Sequence, residues 1–182
     1  MIREAQKYAL FRILLLFVRN PSTSAHIGLI AKKAKTSPAT AMAACNVLLK
    51  AEILSEKKVG NLRVFSISPE TPFAKAFKTA FSLEYLRENG LEKIGEGAIS
   101  FAVYGSYASG DYDEHSDLDL LMLFSGMERN ADTSALELEK KTGVRVEMKK
   151  MHYAEWGKRK RNGDTFTHEV LAKHILISGA EL

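Results

Sequence analysis

Asp117 and Asp119 open the run Asp117-Leu118-Asp119-Leu120-Leu121-Met122-Leu123-Phe124. The run alternates polar and apolar residues and then becomes continuously apolar, which reads as a strand entering a core. Residues two apart in a strand share a face, so both carboxylates project together while Leu118 and Leu120 project to the other side. Two carboxylates about 5–6 Å apart repel by roughly 3 kcal/mol at an effective dielectric of about 20. A cation that neutralises the pair removes that penalty, and hard oxygen donors favour Mg²⁺ or Mn²⁺ over zinc. Upstream, Ile99-Ser100-Phe101-Ala102-Val103-Tyr104 is a strand-like run that stops at Gly105-Ser106. The glycine allows close backbone approach, the turn after it offers N–H groups to an anion, and the Ser106 hydroxyl can donate to a phosphate oxygen. A phosphate cradle twelve residues before a metal-binding pair describes a nucleoside triphosphate with its metal.

The composition limits the other chemistries. The single cysteine, Cys45, excludes an internal disulfide framework and a Cys-rich zinc site and suits a small buried apolar role. The five histidines are scattered without HExxH spacing. The longest apolar run, Ile13 to Val18, is six residues, far short of the roughly 20 that a membrane helix needs. No membrane partner is expected, and a cytoplasmic location is the default. With 182 residues, 46% of them hydrophobic and 26% charged, the chain has the balance of one ordinary globular domain or two small ones.

The Gly105-Ser106 pair, the ten residues after it, and Asp117-Leu118-Asp119 resemble the signature of the nucleotidyltransferase superfamily that includes DNA polymerase beta, especially its small "minimal" members. That signature continues with a third carboxylate on a later strand. Val144-Arg145-Val146-Glu147-Met148 alternates, which makes Glu147 the candidate. The resemblance implies a two-metal transfer. Asp117 and Asp119 would bridge the ions, and Glu147 would hold one ion and orient or deprotonate the attacking hydroxyl. Gly105 and Ser106 would hold the β- and γ-phosphates while pyrophosphate leaves. Tyr107 and Ser109 stand where many minimal relatives carry arginine. The run Lys158-Arg159-Lys160-Arg161 could replace that charge or contact RNA or DNA, with a solvated basic loop as the plain alternative.

The elements that must position these residues fall into two parts. Arg3 to Arg19 has helical periodicity and ends at Asn20-Pro21. A second helix is expected from a cap at Ser22, Thr23 or Ser24 to about Lys35, and a third from Thr36 or Ser37 to about Lys50. In the third, Ala41, Ala44, Val47 and Leu48 would face inward. Two strand-like runs follow, joined by Gly60-Asn61, a hairpin signal. Three helices and a hairpin resemble a winged helix-turn-helix domain over about residues 3–68. In such domains the third helix enters the major groove and the wing touches the backbone. Ser37, Thr40 and Asn46 would then face bases, and Lys57, Lys58 and Arg63 phosphates. Phe73, Phe77, Ala80, Phe81, Leu83 and Leu86 form the apolar stripe of a linker helix ending at Asn89-Gly90.

The expected architecture is therefore α+β in two domains. A winged helix over 1–68 leads through a linker helix over 69–95 to a nucleotidyltransferase-like mixed β-sheet packed with helices over 96–182. That order also resembles a group of archaeal proteins. Charge follows the division: residues 1–70 carry eleven basic and four acidic residues, net +7, and residues 71–182 carry fifteen and eighteen, net −3. A basic front suggests a polyanion partner. The leading reading is a metal-dependent nucleotidyltransferase that passes a nucleotidyl group from an NTP such as ATP to an unspecified acceptor and carries a DNA-binding winged helix. The alternative is a DNA-binding regulator, or an antitoxin facing a toxin partner, whose second domain only binds nucleotide. RNA is a further possible acceptor, and a homodimer would suit paired half-sites.

Overall fold

The computed structural model describes residues 7–68, 71–126 and 130–182. It divides into two compact units, Met1–Tyr85 and Leu86–Leu182.

In the first unit, helix α1 (Ala9–Arg19) buries Ile13, Leu14, Phe17 and Val18. The start expected at Arg3 lies outside the described residues. The helix expected from Ser22–Ser24 begins later. Ser24–His26 is a short strand, β1, and α2 spans only Ile27–Lys33. The reason is tertiary: Ala25 is buried between exposed Ser24 and His26, and the strand pairs antiparallel with β3 (Leu62–Ile67), Ala25 opposite Phe65. Local helix capping at Ser22 or Ser24 loses to that pairing. Helix α3 (Pro38–Lys50) starts as its cap residues dictate. The Thr40 N–H donates to the Ser37 hydroxyl at 3.0 Å, and Pro38 occupies the first turn, where a missing N–H costs nothing. Its buried face is Ala41, Ala44, Cys45 and Leu48, and Val47 is 54% exposed rather than inward. Adjacent helical residues diverge by about 100°, which takes Val47 off the stripe that Leu48 holds.

Strand β2 (Leu54–Val59) pairs with β3 through the Gly60-Asn61 turn, and the sheet order is β1-β3-β2. Gly60 takes φ 58° there, a conformation cheap only for glycine. Phe65, Ile67, Leu54 and Ile53 complete the core with Ile30 and Leu48. Helix α4 (Pro72–Asn89) lays Phe77 and Phe81 against this core, with Phe81 stacked on Phe77 at 4.7 Å and on Phe11 at 5.9 Å. Phe77 and Phe81 of the connector's stripe are thus packing, whereas Phe73 is 54% exposed. The last residues of α4, from Leu86, belong to the second unit, and Gly90 at φ 115° follows.

The second unit holds a mixed sheet in the order β6-β5-β4-β7. Its strands are β4 (Ser100–Tyr104), β5 (Leu118–Phe124), β6 (Val146–His152) and β7 (His174–Gly179). β4 runs antiparallel to β5 and β7, and β5 parallel to β6. A parallel pair needs a crossover. Helix α7 (Ala131–Thr142), closed by Gly143 at φ 74°, supplies it and packs with α5 (Leu91–Ile94). On the face of Leu121, Leu123 and Met151 lie Trp156 of α8 (Tyr153–Arg161) and Val170 of α9 (Thr165–Ala172). Leu118, Leu120 and Met122 are equally buried, so β5 is covered on both faces. The Lys158–Arg161 run, for which a solvated loop was the plain alternative, forms the last turn of α8.

Candidate active site

The strand-to-turn junction after Tyr104 fixes the site. Gly105 has φ 66° and opens the short helix α6 (Gly105–Ser109). A Cβ at this position would overlap a carboxylate oxygen of Asp119 and sit 3.1 Å from its Cγ. Gly105 is therefore required twice, for its left-handed backbone and for the carboxylate lodged against it. The Ser106 hydroxyl, half-buried at the start of α6, has no hydrogen-bond partner among the described residues. The ten-residue spacer folds on itself. Tyr107 and Tyr112, both buried, stack at 4.1 Å, and Gly110 at φ 77° turns the chain out of α6. Asp113 then closes a polar loop. It accepts from the His115 N–H at 2.9 Å and the Ser116 hydroxyl at 3.0 Å, and these bonds hold its carboxyl below the usual range.

Asp119 lies in β5 opposite Glu147 of β6 in parallel register, so the two side chains leave neighbouring strands on one face. Asp117 sits one residue before β5, where the Leu118 N–H donates to the Arg145 carbonyl at 2.8 Å. Burial raises the Asp119 carboxyl above its ordinary value, and the charges of Glu147 and then Asp117 raise it further. Tyr104 ends β4 one step past the Val103–Leu120 pair, level with Asp119. Its phenol is pushed up to about 12, first by burial and then by the charges of Asp119 and Glu147. Its ring meets Phe166 edge-on at 5.6 Å.

These carboxylates are the oxygen donors available for a hard cation. Crowded like charges raise the cost of ionisation, and a cation would relieve it, so the donor set suits Mg²⁺ or Mn²⁺. Among the described residues no three His, Cys, Asp or Glu side chains form a ready-made metal cage.

Sequence reasoning missed two cations here. Arg145 lies 3.9 Å from the Asp117 carboxylate with 79% of its side chain exposed, and Lys149 places its ammonium 5.7 Å from the Phe166 ring centre. The alternation places Arg145, one residue before β6, and Lys149 in phase with Glu147, but only the pairing of β6 with β5 sets them beside Asp119.

In the first unit, Ser37 and Thr40 are exposed at the start of α3, their hydroxyls 2.8 Å apart. Lys57 and Lys58 are exposed on β2. Arg63 forms a two-pronged pair with Glu56, at 2.7 and 2.5 Å, and also donates to the Asn46 side-chain oxygen at 3.2 Å. That pair holds the Glu56 carboxyl below its usual value and raises the Arg63 guanidinium. Asn46 and Arg63, expected to read bases and phosphate separately, are thus tied together. No helix among the described residues is long and apolar enough to cross a membrane.

A nucleotidyltransferase domain family model matches residues 83–170, 88 of the 182 residues, spanning Gly105, Ser106, Asp117, Asp119 and Glu147. The match supports a nucleotidyl-transfer function. Among solved structures, a provisionally assigned nucleotidyltransferase from Sulfolobus solfataricus is similar at 19% identity and a TM-score of 0.32, covering 58% of this chain and 87% of that one. No curated protein matches.

Proposed function

We propose that the chain is a metal-dependent nucleotidyltransferase over residues 96–182, joined through a linker helix over 69–95 to a DNA-binding winged helix over 1–68. The observation that carries the transferase reading is the Asp119 carboxylate lodged against Gly105 with Glu147 in register beside it. Asp117, Asp119 and Glu147 would hold Mg²⁺ or Mn²⁺, which would neutralise charge on the transferring phosphate. Gly105 and Ser106 bind the β- and γ-phosphates through backbone N–H groups and the unpartnered hydroxyl. Glu147 orients the acceptor hydroxyl and takes its proton. The hydroxyl oxygen bonds to the α-phosphorus, the α–β bridging bond breaks, and pyrophosphate leaves with that electron pair.

The test is incubation with α-labelled NTPs and Mg²⁺ or Mn²⁺ beside an Asp117→Asn/Asp119→Asn variant. Metal-dependent nucleotide binding should weaken at least about a hundredfold in the variant, and label transfer should cease. Equal binding by both proteins would sink the site assignment.

A second reading is a regulator or antitoxin that binds nucleotide without transfer. It is favoured by position 107, where Tyr107 is buried in a ring stack, and by Ser109, whose hydroxyl donates to the Ser106 carbonyl at 3.2 Å. Neither supplies a cation to a triphosphate. In this reading nucleotide binds, no label moves, and a toxin partner or upstream DNA is the target.

A further inference from the structure

Beyond its first turn, helix α3 exposes Ala43, Asn46, Val47 and Lys50. Asn46 is the one hydrogen-bonding side chain on that stretch before Lys50. Its amide is not free to turn. Arg63 donates through Nη2 to the Asn46 Oδ1 at 3.2 Å, and a guanidinium has donors only, so the amide oxygen must face it. Arg63 is itself fixed. Its Nε and Nη2 bond the two Glu56 oxygens, Nε at 2.7 Å, and its Nη1 lies 3.0 Å from the Met42 sulfur. The Asn46 NH2 is left as the open end of the amide, with no partner among the described residues. The familiar asparagine contact with adenine uses both ends of the amide, one donating to N7 and one accepting from the N6 amino group. At Asn46 the accepting end is already taken. Its second lone pair sits beside the Arg63 guanidinium, where a base amino group would meet a cation.

We infer that Asn46 selects thymine, and that Arg63 is the positioning residue that makes it do so. Thymine sets side by side in the major groove the O4 acceptor that an open NH2 needs and a methyl group. Ala43 and Val47 stand three residues before Asn46 and one after it, and four apart from each other, so the three form one patch on the helix. Both are exposed, Val47 at 54%, and they offer the methyl an apolar seat beside the amide. Guanine supplies O6 without the methyl. Adenine and cytosine carry an amino group where thymine has O4, and it would meet the Asn46 NH2 donor to donor. The preference is thus set by which end of one amide points outward, and the hairpin sets that from behind through Arg63. This inference rests on the DNA-binding part of the function proposed above.

The test uses the full chain to select sites from a library of randomised duplexes, followed by anisotropy on fluorescein-labelled duplexes of the selected site. One thymine of that site should lose its enrichment in Asn46→Ala. Two substituted duplexes then separate the features of that thymine. 5-Methylcytosine opposite guanine keeps the methyl and replaces O4 by an amino group, and wild type should bind it about tenfold more weakly. Uracil keeps O4 and removes the methyl, and should cost about threefold. Asn46→Ala should bind the thymine and 5-methylcytosine duplexes within about twofold of each other. Asn46→Asp puts an acceptor at the open end and should prefer 5-methylcytosine. Arg63→Lys keeps the charge without the fork, and should reduce the preference for thymine over adenine about threefold or more. Each result is a ratio between two duplexes on one protein, so a loss of folded protein cancels. An adenine at the Asn46-dependent position, or a thymine preference undiminished in Arg63→Lys, would overturn the inference. Salt-dependent duplex binding that enriches no motif would also overturn it and leave DNA binding standing. If wild type binds no duplex at low salt, the DNA-binding reading falls with it.

Discussion

Asp119 is the residue whose environment works most directly against its own charge. Burial and two carboxylate neighbours raise its folded value above the ordinary 3.8. The folded chain therefore holds that proton more tightly than the unfolded chain. Stability falls as pH rises from the ordinary aspartate range through the raised folded value, and the deficit persists at neutral pH. The side chain is partly exposed, so solvent screening keeps the effect small. In EDTA at pH 7.5, Asp119→Asn should raise the melting temperature by roughly 1–3 °C and remove part of the decline on going from pH 4 to neutrality. A melting temperature at or below that of wild type would show that the carboxylates do not strain one another. Added Mg²⁺ should reverse the ranking by stabilising wild type more than the variant.

At the scale of elements, the hairpin of the first unit carries a restraint on its own charge. Arg63 on β3, opposite Lys58, reaches diagonally to Glu56 on β2 and also to Asn46 on α3, so hairpin and helix share one polar link. If this hairpin meets DNA phosphates, Glu56 opposes the contact. Glu56→Gln should tighten duplex binding about threefold at low salt and steepen its salt dependence, with the melting temperature nearly unchanged. Unchanged or weaker duplex binding would remove the hairpin from the interface. Much of this scale was legible in the sequence. The apolar runs into Tyr104 and through Phe124 are strands, and Ser37-Pro38 starts a helix, because period and capping are local properties. What was not legible depends on distant partners. Ser24–His26 becomes a strand only because β3 is there to pair with it. Helix α7, with Leu136 exposed and few apolar residues, follows from the need to cross between parallel strands rather than from its own pattern. The carboxylates and Gly105 were legible by spacing, whereas Arg145 and Lys149 acquire meaning only once β6 is an edge strand beside Asp119.

For the molecule as a whole, the first unit is built on Ile30, Leu48 and Phe65, and the face of the second sheet beneath α8 and α9 on Leu121, Met151 and Trp156. Ligand effects should follow that division. Hydrogen exchange in saturating nucleotide with Mg²⁺ should slow over residues 104–119 and 145–149 by about tenfold or more. Exchange over residues 30–48 should stay within about twofold of the free protein. Slowing confined to the first unit would place the nucleotide elsewhere.

The stacked Tyr107 and Tyr112 give the spacer a meaning beyond its length. Residues 107–116 behave as a folded gauge block rather than a slack tether, clamping the distance between the turn at Gly105 and the carboxylate at Asp117. A glycine inserted between residues 113 and 116 would break the hydrogen-bonded turn from Asp113 to Ser116, and one inserted between 107 and 112 would unseat the rings. Insertions in either half would therefore change the span, and the ten-residue count of the motif is a mechanical tolerance set by two devices, a ring stack and a bonded turn.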